Sequence, residues 1–357
     1  MPNRSSDALF QLIKSLEKSE KRNFKLYVKR NSGIEDLKII QLFDALDKMA
    51  EYDEIQLFKK NKGIKKRQLS NNKAQLYRQI LSSLRLIKNE NNIDIQLHEQ
   101  LDHARILYNK GLYLQSLKML DRIKESARSN HQVTFWLQTL FFEKKIEALY
   151  ITRSMQDRAD RLTSEVDEAS SLLSTTSKLS NLSLQLYSWY IKNGVARNEK
   201  DEKAVDQFFE EHLPARPERF TGFYEKLYLY QSYCWYAFIR QDFLLYYRYS
   251  QKWVDLFEKE KFMITVETGH YIKGMHNLLG AHFDLLNYQK FTEVLEHFER
   301  FSRSALVRHN DNNRILTFVY LHISKLNFHF IDGTFTEGLK LVPIIQEKLE
   351  EYGRFLD

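Results

Sequence analysis

Eleven histidines and one cysteine are the side chains of this 357-residue chain best suited to metal ligation or nucleophilic attack. Their spacing suits neither. His270, His276 and His282 recur every six residues, which scatters them round a helix. His322 and His329, seven apart, share a helix face, but no neighbouring Cys or carboxylate completes a ligand set. Cys234 stands between Tyr233 and Trp235 in an apolar stretch, where a thiol acts as a small buried hydrophobe. Phosphate-binding turns need glycine, and the chain has 11 Gly with no Walker A, GxGxxG or GxSxG pattern. Carboxylates such as Glu293 and Glu296 fall on the polar faces of amphipathic helices, where solvated charge is the default. The expectation is a chain with no catalytic centre, no metal and no cofactor.

Two constellations remain that would recognise rather than transform. Residues 1–92 hold 20 Lys+Arg against 11 Asp+Glu, whereas 93–357 hold 34 against 36. Lys59, Lys60, Lys62, Lys65, Lys66 and Arg67 cluster ahead of a helix expected over 70–88, which adds Lys73, Arg78, Arg85 and Lys88. Such a helix can set lysines on phosphates and arginines on base edges. The same residues equally describe a solvated basic face or a dock for an acidic protein. The second constellation is aromatic, with 15 Phe, Tyr and Trp in the 38 residues from Phe220 to Phe257. Each Tyr hydroxyl wants water or a polar partner. Tyr228, Tyr230, Tyr233, Tyr236, Tyr246 and Tyr247 are therefore the candidate lining of a groove for a peptide or helix. The competing reading packs the same rings between long helices.

The elements that would position these groups read as helices throughout. Scarce Gly and only 4 Pro predict long helices with few tight turns. Residues 1–92 give four or five of them. One runs from Asp7 to Leu16 and the next opens at Ser19. A third, from Glu35 to Ala50, sets Leu37, Ile40, Phe43 and Leu46 on one face; a short one covers Glu54 to Lys60. A long helix capped by Ser70 sets Leu76, Tyr77, Ile80, Leu84 and Ile87 on one face. The polar stretch Lys88 to Asp94 marks a boundary. Helix pairs follow, and three of their turns align without gaps: Lys110 to Leu117, Tyr288 to Leu295 and Asp332 to Leu339. Each has an aromatic (Tyr113, Phe291, Phe335), a smaller residue three positions on, then Leu. Phe243 heads a looser copy with Tyr246 in the small position. The aromatic is expected to plug the corner as a structural anchor. Pairs near 132–172 and 177–213 lack a clean turn, and Pro343 should kink the last helix or start a fresh one near 342.

This turn-aromatic-x-x-small pattern, with Leu278-Leu279-Gly280, resembles the tetratricopeptide (TPR) superfamily over about residues 95–352. The period is longer than that family's ~34 residues, and most copies lack the Leu-Gly. The whole chain is also similar to a bacterial family of helical-repeat proteins that opens with a segment like Ser19 to Leu26, a resemblance that implies no function. The TPR resemblance implies a right-handed array whose alternate helices line a concave surface. The expected fold is all-α: a TPR-like α-solenoid of about six long helix pairs over 93–357, preceded by a small basic helical domain over 1–92. The array is either incomplete at its C-terminus or closed by its own last helix. One Cys, no signal-like apolar stretch and no 18-residue apolar run point to a cytoplasmic protein without membrane contact. The expected function is a non-enzymatic adaptor or scaffold that binds a protein or peptide partner. The alternative is a regulator whose N-terminal domain contacts nucleic acid while the array senses a partner or ligand.

Overall fold

The computed structural model describes residues 7–30, 34–60, 66–88, 92–150 and 156–352, and every regular element among them is helical. The protein is all-α. The chain divides into two compact units, 1–100 and 101–357, so the division falls inside a helix and not in the polar stretch before it.

The first unit contains α1 (Ala8–Ser15), α2 (Lys18–Arg30), α3 (Ile34–Lys48), α4 (Glu54–Lys60), α5 (Lys66–Lys88) and the start of α6 (Ile93–Asn109). Short polar side chains start the helices by taking orphan backbone N–H groups. Asp7 accepts from Phe10 N at 3.1 Å, and Asp53 accepts from Ile55 N at 2.8 Å. Ile13, Phe24, Val28, Leu42, Phe43, Leu46, Leu57, Leu76 and Ile80 meet in one core. Each fully buried side chain of this kind stabilises by about 1.5–3 kcal/mol. The buried face of α3 is Ile39, Leu42, Phe43 and Leu46, with Ile40 only half-buried; the side chain of Leu37 lies outside the described residues. Ser70 is not a cap: α5 begins a turn earlier, and Tyr77 on its expected core face is exposed. Lys21–Asp47 at 2.7 Å and Lys25–Asp44 at 2.6 Å tie α2 to α3.

The second unit continues with α7 (Tyr113–Ser129), α8 (Val133–Tyr150), α9 (Gln156–Asn193), α10 (Glu199–His212), α11 (Phe223–Ile239), α12 (Phe243–Lys259) and α13 (Phe262–Val266). It ends with α14 (Thr268–Asp284), α15 (Tyr288–Ser302), α16 (Ala305–Arg308), α17 (Asp311–Asp332), α18 (Phe335–Leu339) and α19 (Leu341–Tyr352). One correction to the expected pairs is large: α9 is an unbroken helix of 38 residues that runs straight through the break anticipated at 172–177. Pro343 sits in the first turn of α19, where its missing N–H costs nothing. Helices α7, α8 and α9 share a buried ion network. Glu143, fully buried, takes Lys124 at 3.1 Å and Arg158 at 2.9 Å; Lys124 also meets Glu165 at 3.1 Å, and Arg158 meets Glu147 at 2.7 Å. Removing one member would strand a buried charge, which is the strongly destabilising case.

Five helix corners follow one geometry. Gly111, His131, Gln241, Leu286 and Gly333 all adopt the left-handed conformation, with φ between 53° and 78°. The next residue donates its N–H to a carbonyl five residues back in four of them. These are Leu112 to Leu107 O at 3.0 Å, Gln132 to Ala127 O at 2.7 Å, Asp242 to Ala237 O at 2.9 Å and Asn287 to His282 O at 2.9 Å. That is the Schellman ending of a helix. Counted from it, Tyr113, Phe243, Tyr288 and Phe335 are equivalent first helical residues. The expected register was therefore three residues off at one corner, because Phe291 does not align with the other three anchors. The first-position rings are not plugs: Tyr113 and Phe243 are half-buried, and Tyr288 and Phe335 are 43% and 57% exposed. The fourth residue is buried in every copy: Ser116, Trp136, Tyr246, Phe291 and Gly338. Where it carries a ring, that ring is the plug and points back under the corner, as a helix side chain tilts toward its own N-terminus.

Two of the non-glycine corner residues hold something with their side chains. His131 bonds Glu260 at 2.7 Å and lies between Phe223 and Phe262, with ring centroids 5.5 and 5.9 Å away. Gln241 donates to Ala196 O at 3.0 Å and so fixes the loop between α9 and α10. Nothing in the structure explains Leu286, which is exposed.

Candidate functional site

Five helices of the second unit border a half-open cavity of about 720 Å³. Each supplies a stripe at helical spacing. From α9 come Ser180, Ser183, Leu184, Tyr187 and Tyr190; from α11, Tyr228, Gln231, Trp235 and Phe238. On α14 the stripe is Lys273, His276, Asn277, Gly280 and Asp284, and α17 adds Tyr320 and Asn327. Tyr246 and Trp253 reach in from α12. Close approach of α12 to α14 depends on two glycines. A Cβ at Gly274 would stand 3.0 Å from Trp253 Cδ1, and one at Gly280 would stand 3.3 Å from the Tyr246 hydroxyl.

The rings are ordered by each other. Trp235 lies 4.9 Å from Tyr187 and 5.5 Å from Tyr190, and His276 stacks on Tyr320 at 4.2 Å with planes 8° apart. Tyr246 donates to Asn277 Oδ1 at 2.9 Å. Burial pushes the Tyr228, Tyr246 and Tyr320 hydroxyls up from their ordinary pKa, so all three stay neutral O–H groups. Burial also lowers His276 to about 4, which leaves a neutral imidazole at neutral pH. Asp284 is raised by burial. Three polar atoms of the lining have no hydrogen-bond partner: Gln231 Nε2, Trp253 Nε1 and His276 Nδ1.

Of the six tyrosines expected to line a groove, Tyr228 and Tyr246 reach the cavity. The other four pack elsewhere, because their positions on α11 and α12 turn them away. Tyr233 lies on Tyr249 at 3.9 Å, with Tyr230 against the same ring at 5.9 Å. Tyr236 stacks on Phe209 of α10 at 4.1 Å and donates to Asp206 at 2.8 Å; Tyr247 meets His282 at 5.1 Å. The residues missed were Tyr187, Tyr190, Gln231, Trp235, His276, Asn277 and Tyr320. A signal existed: each stripe mixes rings with amides or hydroxyls, too polar for a core and too aromatic for an open surface. Cys234 lines the cavity from a buried position, and burial pushes its thiol up to about 12.

Most of the expected basic site lies outside the described residues. Lys62 and Lys65 lie outside the described residues, as do the side chains of Lys59, Lys60, Lys66, Arg67 and Lys88. Lys73 is half-buried and bonded to Asp7 and, at 3.0 Å, to Tyr52, so it holds α5 to the core of its unit. Arg78 and Arg85 are exposed. A second basic face, not foreseen, is on α2, where Lys18, Lys21, Arg22, Lys25 and Lys29 line a shallow depression of about 450 Å³ beside exposed Leu26.

Among the described residues no group of three His, Cys, Asp or Glu side chains is placed to hold a metal ion, and no helix is long and apolar enough to cross a membrane. Compared with family models, curated proteins and solved structures, the chain matches none.

Proposed function

We propose that unit 101–357 is a non-enzymatic, TPR-like recognition module in which α9, α11, α14 and α17 supply the inner face, and that the protein works as an adaptor or scaffold. The carrying observation is the cavity itself. At about 720 Å³ it falls within the range of specific binding pockets and is lined by rings with a few placed polar groups. Its rim adds the apolar side chains of Leu184 and Tyr187, 66% and 44% exposed, on one face of α9. Aromatic anchors of this kind dominate binding energy where peptides are held.

Selection of a random peptide library on the full chain tests this reading. Enriched peptides should lose binding when Leu184→Asp and Tyr187→Asp are combined, with the melting temperature unchanged. Binding that survives both changes would place the interaction elsewhere and end the proposal.

The regulator reading keeps one supporting observation, the cationic face of α2 at i, i+3, i+4, i+7 and i+11 spacing. It predicts binding of duplex DNA that weakens steeply as salt rises, since each neutralised phosphate releases counterions. Lys21 and Lys25 are partly neutralised by Asp47 and Asp44, which lowers the expected salt slope. No binding at about 50 mM salt would remove this alternative.

A further inference from the structure

We infer that the cavity takes an uncharged aromatic residue of the partner together with the backbone carbonyls that flank it. The inference rests on the recognition reading and names what that surface selects.

Four observations converge. The volume, about 720 Å³, exceeds what one side chain fills and leaves room for a ring with adjoining backbone. The walls are flat: Tyr187, Tyr190 and Trp235 on one side, the stacked pair of His276 and Tyr320 on the other. Offset or edge contacts with such walls favour a ring over an aliphatic chain. The two charged side chains of the lining, Lys273 and Asp284, are of opposite sign and lie on one helix, with Lys273 exposed; the ring walls are neutral, and His276 is an uncharged imidazole. A charged ligand would shed its water against those walls. Finally, Gln231 Nε2 is buried without a partner. Its amide, turned toward the cavity, would donate to a carbonyl arriving with the ligand and satisfy a donor that is otherwise unmet.

The experiment titrates four probes into the full chain and reads binding by saturation-transfer NMR. They are N-acetyl-tyrosinamide, N-acetyl-leucinamide, tyramine and 4-hydroxyphenylacetate. The first should bind with a roughly millimolar Kd, as expected for a ligand of its size. The cation and the anion should be at least ~10-fold weaker, since each sheds its water against neutral ring walls. Gln231→Leu, which keeps volume but deletes the donor, should weaken the amide about 3–10-fold. Extending the probe to an acetylated, amidated Gly-Tyr-Gly tripeptide should tighten it further. Equal binding of the leucine amide or of either charged probe overturns the inference. So does a tripeptide no tighter than the single residue, because the site would then serve a free small aromatic molecule. If selected peptides bind but N-acetyl-tyrosinamide does not, the ring-and-carbonyl chemistry falls and the recognition module stands; if neither binds, both fall.

Discussion

On the side of α11 that faces α10, every aromatic has found its partner: Tyr233 lies flat on Tyr249, and Tyr236 covers Phe209 with its hydroxyl between Asp206 and Arg240. On the side that faces α9 and α14, the same residue types leave space between them and leave Gln231 Nε2 unpaired. Composition is shared; satisfaction of the polar atoms is not. A closed face gains nothing further from a ligand, whereas an open face with unmet donors is stabilised by one. The corners repeat the contrast on a smaller scale, with a buried fourth residue beside an exposed first one.

The strongest way to break this comparison is truncation. Phe209→Ala on the closed face and Phe291→Ala in a corner should each cost about 3–5 kcal/mol in urea melts, as deletion of a well-packed ring does. Leu184→Ala on the open rim and Tyr288→Ala at the exposed corner position should cost under ~1 kcal/mol. Equal losses would show that the open face is core.

Acid gives the next largest effect. His276 has a folded-state pKa near 4, below the ordinary 6.5. The unfolded chain therefore binds the proton more readily, and the stability is fully present above pH 6.5 and lost as pH falls toward 4. Between pH 7 and pH 5 this residue alone should remove about 2 kcal/mol, and the His276→Phe variant should lack that part of the loss. His282 and His322, lowered by burial too, would remain as a background in both proteins. Identical pH slopes would show that the His276 site is wet.

Hydroxyl deletion sharpens the contrast further. Tyr236→Phe abandons a bond to the Asp206 carboxylate and should cost about 1.5 kcal/mol. Tyr187→Phe at the open rim should leave the melting temperature unchanged. Smallest of all, Leu286→Gly should stabilise by up to about 1 kcal/mol, because a leucine in the left-handed region is strained. A loss there would mean that the exposed leucine has a contact of its own.

Most helices were legible, since apolar periodicity and caps such as Asp7 are local signals. Registers were less so. Alternating three- and four-residue spacings fit α3 nearly as well through Leu37 and Ile40 as through Ile39 and Leu42, and only packing against the neighbouring helices decides. The corners went astray for a conformational reason. Glycine marks the left-handed turn at Gly111 and Gly333, but His131, Gln241 and Leu286 occupy it elsewhere, so a search for glycine passes over three of five. Phe291 was then aligned with Tyr113, whose counterpart by corner geometry is Tyr288, although Phe291 is the ring that fills its corner. The length of α9 was hidden because the Ser- and Thr-rich middle reads as a turn, while its side chains simply bond back to the preceding turn, as Thr175 does to Ser171 O at 3.0 Å. The cavity lay in five stripes on helices spread over about 150 residues, each legible alone but joined only by the fold.

An unbroken α9 has a mechanical meaning. At about 1.5 Å per residue it is a rod of roughly 57 Å. Its first half is clamped by Arg158 and Glu165 in the buried ion network, and its second half forms a wall of the cavity. A load placed on Tyr187 is thus borne some thirty residues away, at charges that cannot part without being stranded. A partner that seats in the cavity meets a braced strut there, one that resists being pushed aside.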